Sequence, residues 1–191
     1  MSNTIPKIND KIIETINNTY LKSERLSITK FNRQDIELNV QHEMNPEIMR
    51  YIRDPLTIEE TRKKTLKCAK NWKGNEQEWA LMAVRLLDSK IYIGMVCFRY
   101  ESIENDTVEI GWRLGLEHHG KGYATEAANC FLDWIKSEIK PHKVTAYCVA
   151  ENTASSNIMK KLGMQQEGCL REFSKLRGQW FDEDIYGIIL N

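Results

Sequence analysis

One glycine-punctuated junction constrains this chain more than any other stretch. His119-Gly120-Lys121-Gly122-Tyr123-Ala124-Thr125-Glu126-Ala127 follows a strand-like pattern, Val108 to Leu114, and opens a helix-like one, Thr125 to Lys136. Glycines at such a junction let the main chain turn sharply and leave no Cβ between backbone and ligand. The first N–H groups of a helix lack intrahelical partners. A strand, a glycine turn and a helix start therefore suit a phosphate or pyrophosphate. Two better-known phosphate signatures are excluded by spacing, because the chain has neither Gly-x-x-x-x-Gly-Lys-Ser/Thr nor Gly-x-Gly-x-x-Gly.

The 191 residues fit one domain with a sizeable core. With 27 basic and 27 acidic side chains, net charge gives no reason to expect a nucleic-acid or anionic-membrane partner. The cysteines at 68, 97, 130, 148 and 169 are scattered, and no pair has the spacing of a zinc or redox motif. They are expected to be small buried hydrophobes of a reducing compartment, and no metal site is expected. The polar N-terminus does not read as a signal peptide. No apolar run is long enough for a bilayer. A soluble cytoplasmic protein is the expectation.

The order of elements reads as α+β. Residues 1–20 form an extension in which Ile8, Ile12, Ile13 and Ile16 keep helical spacing, so a short amphipathic helix and a mobile tail are equal alternatives. Residues 21–191 form the main domain. Leu21 to Phe31 reads as a first strand, and Asn32 caps a helix to about His42. A short helical stretch follows from Glu47 to Ile52. A capping box at Thr57 and Glu60 starts a helix to about Trp72. A hairpin of Trp79 to Leu87 and Ile91 to Tyr100 leads to the strand Thr107 to Leu114. After the glycine loop and its helix come a strand, Lys143 to Val149, and a helix from Asn152 to Gly163. Gln165 to Phe173 and Trp180 to Leu190 close the chain as a hairpin through Arg177-Gly178. A single mixed, mostly antiparallel sheet flanked by helices fits this order.

A second segment adds to the first. Asn152, Ser155, Ile158, Lys161 and Gly163 stand at the spacing Asn-x-x-Ser-x-x-Ile-x-x-Lys-x-Gly, followed by Met164. Alone, Asn152 is a helix cap and Gly163 a helix stop. Together with the glycine loop, the segment resembles the GNAT N-acetyltransferases, whose acyl-CoA loop reads Gln/Arg-x-x-Gly-x-Gly/Ala; here it reads His119-Gly120-Lys121-Gly122-Tyr123-Ala124. The likeness spans roughly residues 21–190 by element order. Glu109-Ile-Gly-Trp, Gly-Lys-Gly-Tyr-Ala-Thr-Glu-Ala and Glu167-Gly-Cys-Leu-Arg-Glu resemble the Rim-type ribosomal-protein enzymes of that family.

The resemblance implies a GNAT fold and acetyl transfer from acetyl-CoA to a primary amine without a metal. His119, Gly120, Lys121, Gly122, Tyr123, Ala124 and Thr125 would cradle the pyrophosphate. Lys161 would also contact CoA. Leu114 and Leu116 would offer backbone groups to the pantetheine arm, and Asn152 would bond that arm or a water. An ammonium must lose a proton before it attacks. Glu109 is the candidate base, its bland alternative being a solvated strand carboxylate. Ser155 is the candidate acid, or a donor that orders the leaving thiol, because Met159 stands where many relatives carry an acidic tyrosine. A glutamate late in the Rim-type chain is a proposed base; Glu172 lies in that region, although an ungapped count lands on Ser174.

Other residues read more plainly. Trp112, Trp180, Phe181 and Tyr186 fit core packing or an acceptor cleft. Arg62, Lys63, Lys64 and Lys67 fit a solvated helix face or one wall of that cleft. His118 and His119 read as loop residues. The expected acceptor is a protein N-terminal amine, of ribosomal-protein type. A small amine (polyamine, amino acid or antibiotic) and a non-catalytic acyl-CoA sensor are the alternatives. Homodimers are common among such relatives.

Overall fold

The computed structural model describes residues 8–190. Asn9 caps α1 (Asp10–Asn17) by accepting from the Lys11 amide. Ile16 is fully buried, and Asn17 exchanges two hydrogen bonds with the Trp72 backbone, at 2.9 and 2.8 Å. Residues 8–17 are thus docked rather than a free tail; residues 1–7 lie outside the described part.

The expected first strand is a hairpin. Ser23 interrupts it, its amide donating to the Leu26 carbonyl at 3.0 Å and its hydroxyl accepting from the Leu26 amide at 3.2 Å. The result is β1 (Tyr20–Lys22) and β2 (Leu26–Lys30). Asn32 caps a turn of 3-10 helix that runs into α2 (Ile36–Met44). The expected helix over Glu47 to Ile52 is a series of turns, with the Asn45 side chain taking the amides of Glu47 and Ile48. The capping box of Thr57 and Glu60 is formed and starts α3 (Ile58–Cys68). This helix stops short of Trp72, whose backbone is committed to Asn17 and whose ring packs 5.3 Å from Phe98.

β3 (Ala80–Leu86), β4 (Tyr92–Ser102) and β5 (Thr107–Leu114) are antiparallel neighbours. α4 (Tyr123–Trp134) buries Ala127, Ala128, Phe131 and Leu132 and continues as a π turn to Ile139. β6 (Lys143–Val149), α5 (Thr153–Lys161), β7 (Gln165–Leu176) and β8 (Gln179–Ile189) complete the chain. The eight strands form one sheet in the order β1-β2-β3-β4-β5-β6-β8-β7. One core holds α4 against a sheet face through Val96, Phe98, Val108, Ile110 and Val144. A smaller one holds Phe31, Ile36, Val40, Leu81, Ala83 and Tyr92 beside α2.

The parallel pair β5–β6 positions the site. Its ladder runs from Thr107↔Lys143 to Glu109↔Thr145 and stops. Both strands continue, but residues 110–114 and 146–149 do not pair with each other. β5 therefore offers an open main-chain edge on that side, which sheets normally cover or use.

Candidate active site

A cleft of about 1080 Å³ opens where β5 and β6 part. The starts of α4 and α5, part of α3 and residues 47–53 line it.

At the α4 end, Gly120 and Gly122 have φ of +72° and +80°, a left-handed conformation that favours glycine. No side chain caps α4. Glu126 is the first residue of the helix whose amide finds a carbonyl, that of Gly122 at 3.0 Å. The amides of residues 120–125 have no acceptor among the described residues. Six consecutive free donors at a helix N-terminus, with open space where a Gly120 Cβ would stand, fit a pyrophosphate.

Gly120, Gly122, Tyr123, Ala124 and Thr125 line the cleft with His119, Leu114, Leu116, Asn152, Ser155 and Lys161. The exposed Lys121 side chain does not line it. The His119 ring turns back so that Nε2 lies 3.1 Å from the Leu114 carbonyl. That carbonyl is thereby engaged within the chain. Asn152 Oδ1 accepts from the Ser155 amide at 3.2 Å, which caps α5 and leaves the Asn152 side-chain NH₂ uncommitted. The Ser155 hydroxyl has no hydrogen-bond partner among the described residues.

Glu109, the last residue of the parallel ladder, is 9% exposed and is not a solvated strand residue. Its Oε2 accepts from Arg99 Nε at 2.7 Å, and Arg99 lies over the Trp79 ring at 4.7 Å. Burial pushes the Glu109 carboxyl above the usual range; Arg99 opposes this, and the charges of Glu101 and Glu183 add to it. Behind it, Glu101 accepts from Tyr147 and, at 3.0 Å, from the Thr145 hydroxyl. A buried carboxylate whose pKa is raised, beside an open cleft, is suited to accept a proton.

A charged cluster also lines the cleft. Glu43 lies between Arg53 and Arg113, and Arg113 also donates to Asn39 Oδ1 at 2.6 Å. Burial alone would raise the Glu43 pKa, but Arg113, Arg53 and Asn39 outweigh it and hold the carboxyl low. Arg50, Lys64, Trp79 and Trp112 line the cleft as well.

The remaining candidates fall elsewhere. Glu172 sits in a bulge of β7 with φ of +49°, its amide donating to Asp182 Oδ1 at 2.8 Å, and does not line the cleft. Ser174 donates to Glu183, which does line it. Trp180 is 51% exposed, whereas Tyr186 is buried in the core. Arg62 pairs with Glu37 outside the cleft. His118 lies 3.3 Å from Glu117. Cys97 and Cys148 are buried as expected, but Cys169 is exposed on β7. Arg99, Glu43, Arg53, Arg113 and Tyr147 were not anticipated. Only the register of β4 and β5 puts Arg99 opposite Glu109.

Residues 25–165 match the model of the acetyltransferase (GNAT) domain. The chain is 31% identical over 170 residues to an uncharacterized N-acetyltransferase, YnaD, of Bacillus subtilis, covering 89% of this chain and 96% of that protein. A GNAT-family acetyltransferase from Bacillus anthracis superposes with a TM-score of 0.76 at 33% identity, over 90% of this chain and 98% of that one. The ribosomal-protein-serine acetyltransferase of Escherichia coli is 25% identical over 99 residues, 52% of this chain and 55% of that protein. A spermidine N-acetyltransferase from Vibrio cholerae, solved with CoA and spermine, shares the fold with a TM-score of 0.77 at 22% identity, over 88% and 97% of the two chains. This protein belongs to the GNAT family of N-acetyltransferases.

Proposed function

We propose that this enzyme transfers an acetyl group from acetyl-CoA to the N-terminal amine of a protein or peptide, with Glu109 as base. The observation that carries the proposal is the buried Glu109 at the fork of β5 and β6, with the free amides of residues 120–125 farther along the same cleft. Bound acetyl-CoA supplies an acetyl thioester whose carbonyl carbon is open to attack. Glu109 takes a proton from the acceptor ammonium, directly or through one water, and the freed amine attacks. The Ser155 hydroxyl gives its proton to the departing thiolate or orders it. Asn152 and the open edge of residues 110–114 align the arm, as an added strand is aligned.

An N-terminal amine is favoured over a polyamine by charge. The carboxylates Glu43, Glu47, Glu109 and Glu183 line the cleft alongside Arg50, Arg53, Lys64, Arg113 and Lys161. A polycation gains from a cleft where carboxylates exceed cations, and here they do not. The ribosomal-protein-serine acetyltransferase among the relatives supports the same choice.

Free-thiol release from acetyl-CoA tests this, with peptides bearing N-terminal Ala, Ser or Met set against spermidine and aminoglycosides. Peptide-dependent release that drops at least a hundredfold in Glu109→Gln is expected, within the range for a general base. Release with spermidine alone would overturn the acceptor assignment. An unchanged rate in Glu109→Gln across pH would remove Glu109 as base.

A further inference from the structure

The turn between β1 and β2 lies against the glycine loop and makes more contacts than a solvated turn requires. Arg25 donates through NH1 to the Lys121 carbonyl at 3.0 Å and through Nε to Glu126 Oε2 at 2.7 Å. The Arg25 amide and the Ser23 hydroxyl both donate to Glu126 Oε1, each at 2.7 Å. The guanidinium stacks on the Tyr123 ring at 4.5 Å. Glu126 thus fastens the turn through three separate groups, and Arg25 reaches across to the loop. Burial alone would raise the Glu126 pKa; the donors from Ser23 and Arg25 outweigh it and keep the carboxyl ionised.

The contact with Lys121 sets a direction. In a trans peptide the carbonyl and the following N–H point opposite ways, and the chain has no cis bond among the described residues. Arg25 does not line the cleft, whereas Gly122 does. Holding the Lys121 carbonyl on the Arg25 side therefore directs the Gly122 N–H away from Arg25. Glycine at 122 takes either sign of φ, so this peptide unit is free to rotate by half a turn unless something holds it. A rotated unit would present a carbonyl oxygen where the anion binds.

We infer that Arg25, fixed by Glu126, is a positioning residue for the pyrophosphate site, locking the Lys121–Gly122 peptide with its N–H toward the cleft. The inference rests on the acetyl-CoA reading above. It differs from simple electrostatic attraction, and the two differ in sign at Glu126. If Arg25 acted only through its charge, removing the neighbouring carboxylate would tighten CoA binding. If Arg25 acts by position, removing Glu126 frees the side chain and weakens binding.

Calorimetric titration of CoA into wild type, Arg25→Ala, Arg25→Lys and Glu126→Ala separates these, with thermal melts to confirm folding. The expected dissociation constants rise about tenfold or more for Arg25→Ala and about fivefold for Glu126→Ala, with partial recovery in Arg25→Lys. A second readout is the Gly122 amide proton in a ¹H–¹⁵N spectrum. It moves downfield with CoA in wild type and much less in Arg25→Ala. Tighter or unchanged binding in Glu126→Ala, or a wild-type Gly122 shift in Arg25→Ala, overturns the inference. Should Arg25→Ala fail to fold, Arg25→Lys and Glu126→Gln carry the same comparison. Wild-type protein that does not bind CoA would overturn the acetyl-CoA reading itself, and the inference with it.

Discussion

Replacing Arg99 by Ala tests the role of Glu109 through its pH dependence. The guanidinium lies 2.6 Å from the Glu109 carboxylate, with the two side chains 27% and 11% exposed. Charge centres about 4 Å apart at an effective dielectric near 20 attract by about 4 kcal/mol. Partial exposure of Arg99 and the loss of its own solvation reduce this to roughly half, about 2 kcal/mol of preference for the ionised carboxyl. Because the base must be ionised to act, the loss appears only where protonation competes. Below the acidic midpoint, kcat/KM of Arg99→Ala falls about thirtyfold relative to wild type, by the conversion of about 1.36 kcal/mol per factor of ten. At high pH both carboxyls are ionised and the two rates converge. Arg99→Lys keeps the charge and recovers most of the acidic limb. The assay is kcat/KM for acetyl-CoA and a peptide acceptor, followed from about pH 5 to about pH 9. A deficit of equal size at every pH would refute the reasoning, since it would mean that Arg99 supports structure or substrate rather than the charge on Glu109.

Three further outcomes are expected. Gly122→Ala places a side chain at φ +80° with its Cβ 3.4 Å from Arg25; the left-handed strain of about 1–2 kcal/mol lowers Tm by about 2–8 °C, and CoA affinity falls with it, as calorimetry would show. His42 is pushed down to about 4 by burial first and by Arg113 next, so between there and its ordinary value near 6.5 the unfolded chain binds the extra proton and stability falls as pH falls. His42→Gln should remove roughly 1–2 kcal/mol of that loss in urea titrations at pH 7 and pH 4.5 (the pH values marking about the two ends of the window); an identical pH profile would reject it. Glu172→Gln should leave kcat/KM within about twofold, the size expected of an exposed carboxylate remote from the chemistry, and a larger loss would return Glu172 to the list of bases.

Much of the fold was legible because it rests on local rules. The caps at Asn32, Thr57 and Asn152, the stop at Gly163 and the turn at Arg177-Gly178 all stand where short-range chemistry puts them. What was missed depends on partners distant in sequence. The β1–β2 hairpin turns on Ser23, whose hydroxyl also serves Glu126 more than a hundred residues later. α3 ends early because the Trp72 backbone is claimed by Asn17. The site divides the same way. The glycine loop and the Asn152 segment, which line the cleft, sit at helix starts, so spacing revealed them. Arg99 opposite Glu109, and Glu43 between two arginines, follow from register and packing that no periodicity encodes.

The end of the β5–β6 ladder ties these parts into the proposed mechanism. A carboxylate that is to act as a base must be buried enough to hold its pKa up, yet must face a space that substrate enters. A fully paired sheet gives the first condition without the second. Glu109, the base proposed above, is the last paired residue, with Arg99 beside it and the parting strands in front. The same break frees the edge of residues 110–114, which at about 3.3 Å per residue spans roughly 16 Å. The free amides of residues 120–125 follow that edge in the chain, and Gly120 and residues 122–125 line the same cleft. In the proposed mode an extended pantetheine arm lies along this edge, anchored by its pyrophosphate at α4, with its thioester toward Glu109. Re-pairing β5 with β6 beyond Glu109 would cost the base its access and the arm its edge together, so the two functions cannot be lost separately by closing the sheet.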